Sequence, residues 1–123
     1  MAVNSIDHYT INVGDLERSV KFYEEIIGLK NGARPDFGFP GAWLYLGDAP
    51  RVHLMAGRGS DTEKTGPFDH IAFKAVGVSE VEEKLKKNDI EFRRNEINDF
   101  KLTQLFITDP DGIQIELNFD QEG

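Results

Sequence analysis

Three histidines and one glutamate are the side chains here whose types and spacing suit metal chemistry. His8 lies in "IDHYTI" at 6–11, His53 in "RVHLMA" at 51–56, His70 in "FDHIAF" at 68–73 and Glu116 in "IQIELNF" at 113–119. A single histidine in an apolar run is usually a packed side chain with one hydrogen bond. Here the two Asp-His pairs recur in matching contexts, 62 residues apart (70 − 8), and His53 and Glu116 stand 63 apart (116 − 53). Imidazole and carboxylate are ligands that divalent Zn, Ni, Fe, Mn and Co all accept. His8, His70 and Glu116 make a two-histidine, one-carboxylate set, which leaves coordination positions open for a substrate. His53 either completes the sphere or works beside it as a base, since a neutral imidazole titrates near working pH.

Strand parity decides whether such side chains can share a face. His8 falls with Thr10, opposite Tyr9 and Ile11; His70 falls opposite Ile71 and Phe73. His53 opposes Val52 and Leu54, and Glu116 opposes Ile115 and Leu117. Each run therefore has one apolar face and one face bearing an imidazole or a carboxylate.

The elements that must position them repeat as well. After the strand at 6–13, Asp15 can cap a helix whose apolar residues Leu16, Val20, Tyr23 and Ile27 keep helical spacing, with Gly28 as its left-handed stop. After 68–75, Ser79 and Glu82 have capping-box spacing before a helix carrying Val81 and Leu85. Three further strands follow each helix, near 29–35, 41–48 and 51–56, then near 90–97, 102–109 and 113–119. "GDAP" at 47–50 and "DPDG" at 109–112 read as tight turns. The expectation is one α+β domain over residues 1–123, with βαβββ modules at about 5–56 and 68–119 and a polar, glycine-rich linker at 57–67. Tyr45 in "LYLGD" and Phe106 in "LFITD" stand 61 apart (106 − 45) and are taken as partners in the repeat.

Bulk properties narrow the partners. A net charge of −8 argues against a nucleic-acid partner. No apolar run reaches the ~18 residues a membrane span needs, and no basic-then-apolar leader opens the sequence. The absence of cysteine rules out disulfides and thiolate ligands and suits a cytoplasmic protein.

The paired modules, a "DH" on each first strand and "DPDG…IEL" near the end resemble the vicinal oxygen chelate superfamily over residues 5–119. That group includes glyoxalase I, extradiol dioxygenases, fosfomycin-resistance enzymes and bleomycin-binding proteins. The resemblance implies a cupped mixed sheet with helices on its outer face, and a divalent metal that chelates two neighbouring substrate oxygens. It matches His8, His70 and Glu116 to the common ligands and His53 to a variable fourth position, and it implies a homodimer in which two chains can share a site. The reading nearest the motifs is a glyoxalase-I-like lyase or isomerase working through a metal-stabilised enolate, with Glu116 and His53 as catalytic groups. An extradiol dioxygenase is the runner-up, although Phe106 stands where those enzymes usually have tyrosine. A non-catalytic protein that sequesters a small molecule is a further alternative. Thr10, Arg34, Trp43, Tyr45, Gln104 and Phe106 are candidate substrate contacts: Arg34 either pairs with a substrate carboxylate or is a solvated strand-edge residue, and the aromatic residues either line a pocket or pack as plain core.

Overall fold

Asp15 starts the first helix, its Oδ1 accepting the Arg18 backbone N–H at 3.1 Å. In the computed structural model, which describes residues 5–57, 68 and 70–121, this gives α1 (Leu16–Phe22). The helix then widens into a π-helical turn over Tyr23–Ile27, where the Gly28 N–H reaches back to the Tyr23 carbonyl at 2.9 Å. Gly28 ends it at φ 91°, a conformation that favours glycine. The extra residue in the turn rotates the inward face. Ser19, Phe22, Tyr23 and Ile26 are buried, whereas Leu16, Val20 and Ile27 of the expected stripe are only half-buried.

In the first module β1 (Tyr9–Val13) runs parallel to β4 (Ala49–Ala56), which pairs antiparallel with β3 (Gly41–Leu46), which pairs with β2 (Lys30–Gly32). In the second, β5 (His70–Lys74) is parallel to β8 (Gln114–Asp120), followed by β7 (Leu102–Thr108) and β6 (Arg93–Ile97), both antiparallel. The spatial orders β1-β4-β3-β2 and β5-β8-β7-β6 are the same topology twice. The chain divides accordingly into two compact units, Met1–Ser60 and Asp61–Gly123.

Each sheet buries the face that strand parity assigns to it. Ile11, Val13, Ala42, Leu44, Val52 and Leu54 form the apolar face of the first sheet, and α1 packs on it across β3 and β4. Leu105, Ile107, Ile115, Leu117 and Phe119 form that of the second. There α2 (Val78–Lys87) buries Leu85 completely and is tied to β6 by Glu82 and Arg94, at 2.8 Å. Burying a leucine or valine stabilises by roughly 1.5–3 kcal/mol, so these faces decide which way every strand is turned.

Three local expectations need correction. The capping box at Ser79 and Glu82 does not form: α2 begins two residues earlier, with Gly77 as its N-cap at φ 79° and no side-chain cap, and the Glu82 carboxylate goes to Arg94 instead. The strand expected near 29–35 is only Lys30–Gly32, so Arg34 lies in the following loop and not on a strand. The linker expected at 57–67 lies, except for Gly57, outside the described residues. The turn at 109–112 does form. Asp109, buried, accepts the backbone N–H groups of Asp111 and Ile113 on Oδ1, each at 2.8 Å. This fixes where β8 begins, and hence which face Glu116 takes.

Candidate functional site

In the second module Glu116 is the end of a chain of amides. Asn118 Nδ2 donates to Glu116 Oε2 at 2.8 Å, Gln104 Nε2 to Asn118 Oδ1 at 3.1 Å, and Asn95 Nδ2 to Gln104 Oε1 at 3.0 Å. A carboxylate only accepts, so it sets the direction of every amide behind it. Cross-strand register explains the run: Asn95 pairs with Gln104, Gln104 with Asn118, and Phe106 with Glu116. The other carboxylate oxygen, Oε1, lies 3.5 Å from His70 Nε2. Arg93 lies over the ring of Phe106, 4.3 Å from its centroid.

In the first module His8 precedes β1 by one residue. Arg51 Nη1 holds that approach by donating to the carbonyls of Ile6 and Asp7 at 3.1 and 2.7 Å. Asp7 Oδ1 stands 2.6 Å from His8 Nδ1 and accepts its proton, which leaves the lone pair of Nε2 for a ligand. The matching Asp69 lies outside the described residues. His53 is sandwiched: its ring stacks on His8 (centroids 3.8 Å, 13° between planes) and on Trp43 (4.2 Å, 12°). Burial, and then the neighbouring His8, lower the pKa of His53 below the ordinary imidazole value, so the ring is neutral at pH 7. Its Nε2 lies 3.0 Å from the Pro50 carbonyl, which can only accept; Nε2 therefore carries the proton and Nδ1 the lone pair.

These positions can be tested against a metal. Two donor atoms bound to one ion at about 2.0–2.2 Å stand roughly 3–3.5 Å apart. The His70–Glu116 separation of 3.5 Å fits such a pair, and Glu116 is held for it. The stacked His8 and His53 rings do not, because the in-plane lone pairs of stacked rings lie in nearly parallel planes 3.8 Å apart at the ring centroids and do not meet at one point. Among the described residues, neither module by itself gathers three such side chains into one cluster.

The remaining candidates separate. Thr10, paired with His53, and Trp43 line a recess of about 240 Å³ together with Arg34, Phe37 and Phe39. Tyr45 is engaged elsewhere, its hydroxyl donating to the Ala33 carbonyl at 2.7 Å. The partner of Phe106 across the repeat is also corrected. A bulge between Leu44 and Tyr45 places Trp43 opposite His53, as Phe106 is opposite Glu116, so the equivalent of Phe106 is Trp43, 63 residues earlier (106 − 43), and not Tyr45. Asn95, Asn118, Arg51, Phe37 and Phe39 were not anticipated. The alternation Gln114, Glu116, Asn118 carried a signal for one of them: three polar residues on one face of a strand.

The chain belongs to the Glyoxalase/Bleomycin resistance protein/Dioxygenase superfamily, whose family model matches residues 5–117. It is 31% identical to "Glyoxylase I 4" of Arabidopsis thaliana over 94% of this chain and 70% of that one. It is also 30% identical to the metallothiol transferase FosB of Lysinibacillus sphaericus, over 96% of this chain and 84% of that protein. Among solved structures, a glyoxylase/bleomycin resistance protein/dioxygenase domain from Frankia sp. EAN1pec superposes with a TM-score of 0.77 at 26% identity, covering 99% of this chain and 96% of the other. Among the described residues no helix is long and apolar enough to cross a membrane.

Proposed function

We propose that this protein is a metal-dependent, glyoxalase-I-like lyase or isomerase acting on a small molecule with two adjacent oxygens. The observation that carries the reading is the pairing of His70 with Glu116, whose carboxylate is oriented by three amides in series. His8, with Nε2 left open by Asp7, is the third ligand, contributed by the same chain or by a second copy in a homodimer. The bound divalent ion supplies Lewis-acid polarisation of the substrate oxygens. His53 is assigned as the base in preference to a fourth ligand, because its stack with His8 favours neighbouring work over joint ligation. Its Nδ1 takes a proton from the substrate carbon beside the oxygens, and the Nε2–H bond to Pro50 stabilises the imidazolium that results. The similarity to a glyoxylase I supports this chemistry.

Metal analysis of the purified protein, followed by assay with hemithioacetals and with catechols, tests the reading. The expected result is about one divalent ion per chain and isomerisation of a hemithioacetal that stops on chelation. Oxygen uptake with a catechol would replace it with ring cleavage; no metal, with tight binding of an unaltered ligand, would replace it with sequestration.

A further inference from the structure

The repeat register places Gly41 where the second module has Gln104, and Met55 where it has Asn118, both 63 residues earlier. The polar ladder of the second module is thus erased in the first, and a cation fills the gap. A Cβ on Gly41 would stand 2.7 Å from Arg34 Nη2 and 2.5 Å from the Leu54 carbonyl oxygen, so only glycine admits the guanidinium here. Arg34 is braced by Phe37 and Phe39, with its Cζ 5.0 and 5.1 Å from their ring centroids, and Nη2 donates to the Phe39 carbonyl at 3.2 Å. A guanidinium has five N–H donors, and this is the hydrogen bond it makes among the described residues. Trp43, stacked on the His53 ring, forms another wall, and Phe37 lies 6.1 Å from it, centroid to centroid. Among the described lining residues Arg34 is the only lysine or arginine, and none is an aspartate or glutamate.

We propose that this recess is the substrate-recognition subsite, and that it selects a small aromatic carboxylate: a planar ring against Trp43 and Phe37, with its carboxylate on Arg34. An aromatic slot favours a flat π system, and a fixed guanidinium favours a planar anion that can take two N–H bonds. Size agrees. A cavity of about 150 Å³ takes benzene, so 240 Å³ takes a ring with one carboxylate-sized group and little more. The proposal rests on the enzymatic reading for its place in the reaction, but the subsite exists without the metal, and the test is run without it.

Trp43 is the single tryptophan of the chain, so its fluorescence reports the recess directly. Chelator-treated protein is titrated with benzoate, with uncharged benzamide and with acetate. Benzoate is expected to quench saturably, at least tenfold more tightly than either of the others. Arg34→Gln should weaken benzoate tenfold or more and leave benzamide unchanged. Gly41→Ala, which keeps the charge but displaces it, should also weaken benzoate. Equal binding of benzoate and benzamide to the unaltered protein overturns the carboxylate assignment whether or not the variants fold. Acetate binding as tightly as benzoate overturns the aromatic one. Saturable benzoate binding by a protein that takes up no divalent ion, either as purified or when zinc or nickel is added back, would defeat the enzymatic reading and leave the subsite standing.

Discussion

Replacing Asn118 with leucine removes the link between the amide ladder and Glu116 while nearly preserving side-chain volume. Two bonds go at once: the 2.8 Å bond from Nδ2 to the Glu116 carboxylate and the 3.1 Å bond that Oδ1 accepts from Gln104. A hydrogen bond to a charged group contributes about 1.5–3 kcal/mol, and a buried donor left without an acceptor costs about 1–3 kcal/mol. Gln104 is only 9% exposed, so water compensates it poorly. The expected loss of stability in urea is therefore about 2–4 kcal/mol. Zinc affinity, measured by calorimetry on chelator-stripped protein, should fall 10–100-fold, as it does when the outer partner of a metal ligand is removed. Asn118→Asp separates the two effects: it keeps the acceptor for Gln104 but sets a second carboxylate against Glu116, so the fold should suffer less. If Asn118→Leu binds zinc as tightly as the unaltered protein, the ladder does not orient Glu116 and the argument fails.

Other residues yield shorter tests. Because the pKa of His53 is depressed, the unfolded chain binds its proton more readily than the folded one. Stability contributed by the neutral ring is present above about 6.5 and is lost as pH falls through the lower folded value; denaturation midpoints between pH 7.5 and 5 should show the loss, and His53→Asn should reduce it. Asp109→Ala removes the acceptor of two 2.8 Å backbone bonds and should cost about 3 kcal/mol, read as a fall in Tm of roughly 10 °C. Arg51→Met frees the carbonyls of Ile6 and Asp7; NMR should show the His8 ring losing its fixed stack on His53 while Tm moves little, and an unmoved His8 ring would contradict the role given to Arg51.

The duplicated modules were legible because period-two alternation and the Asp-His repeat are local signals, and apolar burial enforces them. The faces assigned to His53 and Glu116 follow from that alternation, since turning either strand over would expose Val52 and Leu54, or Ile115 and Leu117. What local pattern could not show was anything that adds or drops one residue. The π turn at Tyr23–Ile27 shifts the inward face of the helix, and the bulge at Leu44/Tyr45 shifts the repeat so that Trp43 meets His53. The Ser79–Glu82 spacing was a sound capping signal that lost to Gly77 and to the attraction of Arg94 for Glu82. The placement of Arg34 depends on a missing side chain at Gly41, on a different strand, which no window along the chain can reveal.

The exchange of Gln104 for Gly41 has a bearing on how such a chain can change over generations. The copy with an amide there is braced, and almost any replacement in its ladder disturbs a neighbour. The copy with glycine has been relieved of that duty, and its hollow tolerates new shapes without breaking a bond in the ladder. Ancestral doubling thus leaves one half bound to a fixed polar frame and the other as a free draft on which new preferences can be written.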